Sequence, residues 1–159
     1  MRMAAGDIIR ESLLVVEQVL VKLNEDIERG EVIYNDGAGF LAAPAGIADA
    51  KLYVARDVHD YSEETTHTIG AALLGCIEVQ KKTGTAIKEG QLVMVSSDAG
   101  EVTLFVKGDA PAGGASTYYT STIESGVQTA LDTNLGILGT CSADAASGDT
   151  TANVWVGVR

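Results

Sequence analysis

Aromatic residues make up only 5% of this chain, proline occurs twice and cysteine twice. Two cysteines in 159 residues do not make a disulfide scaffold. Without a Cys-x-x-Cys pair, neither a zinc knuckle nor a thioredoxin-type redox site is indicated. Basic residues are scarce too, 11 against 22 acidic ones, for a net charge of −11. A field of that sign repels nucleic acid and anionic lipid. Lys81 and Lys82 form the sole adjacent basic pair, with no wider patch around them. Long apolar runs are missing as well. Leu13 to Val16 and Val19 to Val21 are far too short to span a bilayer. The start runs into Asp7 without the apolar stretch or cleavage pattern of a secretory signal, so synthesis in a cytoplasm is expected.

What the chain does have is glycine, 18 of them, with abundant Thr, Ser and Ala. That is the profile of short strands joined by small-residue turns. The length suits one domain with its own core. The acidic residues are scattered, which fits a soluble surface or a surface that meets a basic partner.

The strongest internal signal is a repeat. Ile27-Glu28-Arg29-Gly30-Glu31-Val32-Ile33-Tyr34 returns 60 residues later as Ile87-Lys88-Glu89-Gly90-Gln91-Leu92-Val93-Met94. Each copy is an Ile, two charged residues, a Gly, a polar residue and three apolar or aromatic ones. A second echo is read between Thr68–Cys76 and Thr133–Cys141, spaced by 65 residues. On that reading Cys76 and Cys141 occupy similar places; free buried thiols acting as small apolar residues are the reading, with a disulfide between them as the alternative.

The fold expected is all-β, a compact barrel or sandwich of two similar β-rich halves with an N-terminal arm. Residues 1–12 are read as the arm and 13–159 as a single β domain, with halves at about 13–82 and 83–159. Residues 13–24 read as strand. Ile9, Leu13, Val16, Leu20 and Leu23 also follow helical spacing, so a short helix at 7–17 is the alternative. Leu92–Val95 and Val102–Lys107 read as a hairpin, because Val102, Leu104 and Val106 alternate across an Asp-Ala-Gly turn. Further strands are expected at 51–56, 69–79, 116–123, 135–140 and 151–158, about ten in all.

Chemistry is sparse. His59 and His67 flank Asp57, Asp60, Glu63 and Glu64, a combination able to bind a divalent metal. Their spacing of eight matches no ligand pattern, and 57–66 reads instead as an exposed, solvated acidic loop. No nucleophile elbow, phosphate loop or EF-hand series occurs. Both histidines lie in one polar segment, which offers little to a catalytic triad. No catalytic, cofactor-binding or metal-ligating residue is therefore assigned, and the chain is not expected to be an enzyme. Trp155, Tyr118, Tyr119, Tyr53 and Phe105 carry most of the aromatic area, as core filling or as interface.

Several stretches carry a resemblance. They are Thr85 to Val93, Gly100 to Gly108, Leu135 to Cys141, Ser147 to Thr151, and Val154-Trp155-Val156. Together the region from about Thr68 to Val158 resembles the capsid decoration, or cement, proteins encoded beside the major capsid protein in tailed bacteriophages and tailed archaeal viruses. The resemblance implies a virion structural protein on the capsid exterior, with the major capsid protein as partner and a homotrimer as its state. It implies no catalytic residue. The alternative from another class is a virion spike, a host-surface or carbohydrate-binding module, for which Tyr118 and Tyr119 are the adjacent aromatic pair.

Overall fold

The computed structural model describes residues 8–47, 50–106 and 136–157. Among the described residues every regular element is a strand, and no helix is long and apolar enough to cross a membrane. The strands are β1 (Ile8–Leu20), β2 (Val32–Asn35), β3 (Phe40–Ala42), β4 (Tyr53–Ala55), β5 (Thr68–Gln80), β6 (Leu92–Val95), β7 (Val102–Leu104), β8 (Ile137–Cys141) and β9 (Thr151–Val156). All strand pairings are antiparallel. The sheet runs β3-β2-β4-β5-β9-β8-β6-β7, with β1 added to β5, and curls into a half-barrel. The all-β expectation holds. The expected strand at 116–123, the loop at 109–114 and the Tyr118–Tyr119 pair lie outside the described residues.

Apolar alternation sends successive residues of β2, β4 and β5 to two different cores. Val32, Val54 and Ala72 join one cluster, with Ile77, Val79, Ile87, Val93, Leu138 and Val154. Ile33, Tyr53, Ala55, Ile69 and Ala71 join the other, with Val19, Val21, Ile27 and Phe40. A strand covered on both faces loses the polar half of its pattern. That is why β4 is buried at all three positions and why 69–79 reads as a nearly continuous apolar run. Each fully buried Val or Ile in these clusters is worth roughly 1.5–3 kcal/mol of transfer free energy.

The two octapeptides carry the same hydrogen bonds. Gly30 and Gly90 have φ of 84° and 82°. The Gly30 N–H donates to Ala55 C=O at 2.8 Å, and the Gly90 N–H donates to Cys141 C=O at 2.9 Å. Ile27 exchanges backbone bonds with His59, and Ile87 does the same with Ala145. Upstream, β1 and β5 are both 13 residues long and sit 60 residues apart. Downstream, β2 lies between β3 and β4, and β6 lies between β7 and β8.

Three expectations need correction. The second echo is out of register: Cys141 takes the place of Ala55 beside its turn glycine, and β8 stands where β4 does. Cys76 lies on β5, opposite Trp155. Small-residue apolar runs ending in Cys fit many strand positions, so composition alone carries no register. The strand also starts earlier than residue 13. Ile8 pairs Ile77 and Arg10 pairs Cys76, so 8–12 belong to β1 and not to an arm; residues 1–7 lie outside the described residues. Finally, the alternative of a short helix is excluded over 8–17, where β1 runs as a strand, and the strand read at 13–24 ends at Leu20. Register shifts interrupt β1 between Ile8 and Arg10, Arg10 and Val15, and Val15 and Val16. Each bulge moves the apolar positions off strict alternation, and the result imitates a three-four period.

Candidate functional site

The segment joining β4 to β5 is the most polar in the sequence, yet it is built into the fold. His59 is 1% exposed, whereas its neighbour Val58 is 62% exposed. The inversion follows from the backbone: His59 bridges to Ile27 on both its N–H and its C=O, and this turns its ring inward. Carboxylates then fix the rest. Asp57 Oδ2 accepts the Gly70 N–H at 2.8 Å, and Asp26 Oδ1 accepts the Tyr61 N–H at 2.8 Å. Asp60 Oδ1 accepts from the Ser62 N–H at 2.9 Å and from its hydroxyl at 2.7 Å. These Ser62 bonds, with a smaller contribution from the His59 ring, hold the Asp60 carboxyl below the usual carboxylate range.

The two histidines meet. His59 Nε2 and His67 Nδ1 are 3.2 Å apart, with ring centroids at 5.2 Å and planes within 21°. Tyr61 covers His67 at 3.9 Å and 9°. The expectation of a solvated acidic loop is therefore wrong for His59 and His67. The sequence offered one signal for this, the position of His59 opposite Ile27, but it requires knowing the bridge. No group of three or more His, Cys, Asp or Glu among the described residues is placed to hold a metal ion.

Other buried polar groups escaped the sequence reading. Lys81 is 1% exposed and takes the place that Val21 has beside the first octapeptide. Its ammonium donates to Lys82 C=O at 3.0 Å and Asp149 C=O at 3.3 Å. Glu78 accepts the Thr151 hydroxyl at 2.6 Å. Cys76 and Cys141 are free and buried. Cys76 donates to Ser142 Oγ at 3.3 Å and Cys141 to Ala143 C=O at 3.0 Å. Burial pushes the Cys141 thiol up. A thiol so placed is a weak nucleophile.

The surface is divided between paired charge and bare apolar side chains. Lys22, Lys51, Lys82 and Lys88 each pair with a carboxylate, Asp36, Glu17, Asp98 and Asp144 respectively. Val15, Val16, Leu20 and Leu23 are exposed along and just beyond β1. Among the described residues β1 has β5 as its strand partner and leaves its other edge open. A groove lined by Glu17, Gln18, Leu20, Phe40 and Tyr53 runs beside it. Tyr53 itself is buried, meets Phe40 edge to face at 5.2 Å and donates its hydroxyl to Glu17 Oε2 at 3.0 Å. It is core filling with a polar tip at the groove. No family model, no curated protein and no solved structure matches this chain.

Proposed function

We propose that the protein is a structural, non-enzymatic component of a virion that binds the outside of an icosahedral capsid and stabilises it. Its partners are the major capsid protein and further copies of itself, in a homotrimer at three-fold and quasi-three-fold positions. It is made in the host cytoplasm and acts on the capsid exterior. One observation carries the reading: a strand of 13 residues, β1, that has no strand partner on its second edge among the described residues and bares Val15, Val16 and Leu20, with Leu23 just beyond it. Open apolar edges are normally blunted, because they invite pairing with another chain. One left bare suits a protein whose task is assembly. The resemblance from Thr68 to Val158 supports the same reading.

The mechanism is multivalent burial. Each copy bridges neighbouring capsid subunits, and self-association multiplies the contacts without new chemistry. The net charge of −11 steers encounter and keeps nucleic acid away. The test is co-sedimentation of the purified protein with capsid shells that lack it, in stepped salt. Saturable binding is expected, with association slowed by salt more than the finished complex is weakened. Absence of binding, with recognition of glycans on an array, would move the protein to the host-surface class.

A further inference from the structure

The histidine contact has a proton inventory that the fold constrains. A bond between His59 Nε2 and His67 Nδ1 needs one N–H and one lone pair. The remaining ring nitrogen of His59, Nδ1, is buried and has no hydrogen-bond partner among the described residues. Two neutral arrangements satisfy the contact. In the first, His59 donates from Nε2, His67 carries its own proton on Nε2, and His59 Nδ1 is a bare acceptor. In the second, His67 donates from Nδ1, and His59 must carry its proton on the buried Nδ1. Both arrangements leave the buried Nδ1 unsatisfied, as a lone pair in the first and as an N–H in the second, and neither gains a partner there.

Adding one proton to that closed pair has two outcomes. Either an N–H is placed on His59 Nδ1, where nothing receives it, or two N–H groups face each other across 3.2 Å. Asp60 places its charge near the His59 ring, but no carboxylate oxygen lies within hydrogen-bond distance of His59 Nδ1 among the described residues. Asp57 and Asp26 are engaged with the backbone of Gly70 and Tyr61, Asp60 with Ser62, and Lys22 with Asp36. Tyr61 covers the rings with its face. Once the segment opens, both rings reach water and bind protons freely.

We infer that His59 and His67 form a pH-sensitive latch, which holds residues 57–67 against 21–27 at neutral pH and releases them in mild acid. The sign follows from linkage: the open form binds more protons, so closure weakens as pH falls through the range in which histidine titrates. What the latch covers is apolar, because Ile27, bridged to His59, is 1% exposed and sits in the core cluster of Val21 and Ile69. Opening therefore bares a hydrophobic patch. This inference does not depend on the capsid reading.

The chain contains its own control. In the second copy of the pattern, Ala145 takes the place of His59 opposite Ile87. Thr150, whose carbonyl accepts the Lys81 N–H, takes the place of His67, whose carbonyl accepts the Val21 N–H. The same backbone arrangement thus exists without imidazoles. The experiment is hydrogen exchange of the whole protein read by mass spectrometry, with protection factors corrected for intrinsic rates, at about pH 8 and about pH 5. Protection of 57–67 is expected to fall by about tenfold or more in acid while that of 143–150 holds. His67→Gln, which keeps a polar side chain at a partly exposed position, is expected to abolish the difference, as is the paired change His59→Ala with His67→Thr. Equal behaviour of the two segments in the unaltered protein, or an undiminished acid response in His67→Gln, would overturn the latch.

Discussion

Glu31 and Gln91 do the same work with different charge. The Glu31 carboxylate accepts the Glu28 N–H at 2.9 Å, and the Gln91 amide oxygen accepts the Lys88 N–H at 2.7 Å. Burial pushes the Glu31 carboxyl up, and the negative charges of Glu28 and Glu101 push it further, against the pull of the Glu28 N–H. A carboxyl raised in the folded state contributes most below its unfolded value and loses that contribution as pH rises through its folded value. Glu31→Gln should therefore stabilise the protein at pH 7 by on the order of 0.5 kcal/mol, discounted for partial exposure. The gain should vanish as pH falls to about 4, where Glu31 is itself protonated. Urea melts of both proteins at the two pH values check this. Glycines offer a sharper contrast. A Cβ on Gly139 would lie 1.9 Å from the Trp155 carbonyl oxygen, and backbone cannot yield that far. A Cβ on Gly90 meets nothing within 4 Å. Gly139→Ala should cost roughly 3 kcal/mol or more through overpacking, against about 1 kcal/mol of left-handed strain for Gly90→Ala. Thermal melts of the two variants order them. The turn role of Gly30 and Gly90 was legible from the strand that follows each. The burial of His59 and Lys81 was not, because polar composition describes a segment and not the inward turn of one residue within it.

Among the elements, β1 departs furthest from its sequence pattern. Register shifts at Ile8, Arg10 and Val15 break its alternation, so the same residues imitate a helix on paper and pair β5 in the fold. The β6–β7 hairpin is the opposite case. Val93 pairs Leu104, Met94 pairs Thr103 and Val95 pairs Val102, as strict alternation across a turn predicts. It ends earlier than expected, at Leu104, although the Phe105 N–H still donates to Leu92 C=O. The second echo misled because β5 and β8 are both small-residue apolar strands, and only their partners separate them. Edge exposure gives β1 a test of its own. Leu20 and Leu23 are 59% and 67% exposed. Converting both to Lys should leave folding stability within about 0.5 kcal/mol, as for other exposed positions. On the proposed capsid role, the same change should weaken shell binding by about tenfold or more, since it would place charge in an apolar contact. Denaturation and co-sedimentation, run on the same preparation, separate the two effects.

At the scale of the molecule, two copies of one backbone pattern share a continuous sheet, with β5 bonded to β1, β4 and β9. Apolar alternation and turn glycines made the all-β class legible. The half-barrel curl and the two separate cores were not, since both depend on which strands are covered on two faces. The second copy lacks the paired imidazoles, and the first has Val21 where the second buries Lys81. Paired lysines on the surface leave the acidic excess unneutralised, and Val15, Val16 and Leu20 are bare along β1, with Leu23 just beyond it. A protein that binds only the assembled shell must stabilise it by mass action, by about 2.7 kcal/mol at a hundredfold excess over Kd. Calorimetric melting of capsid shells prepared without the protein, then with the protein restored to saturation, measures this directly. A shell transition shifted upward in proportion to the logarithm of free protein is the expected result, and superimposable melting curves at saturation would contradict it.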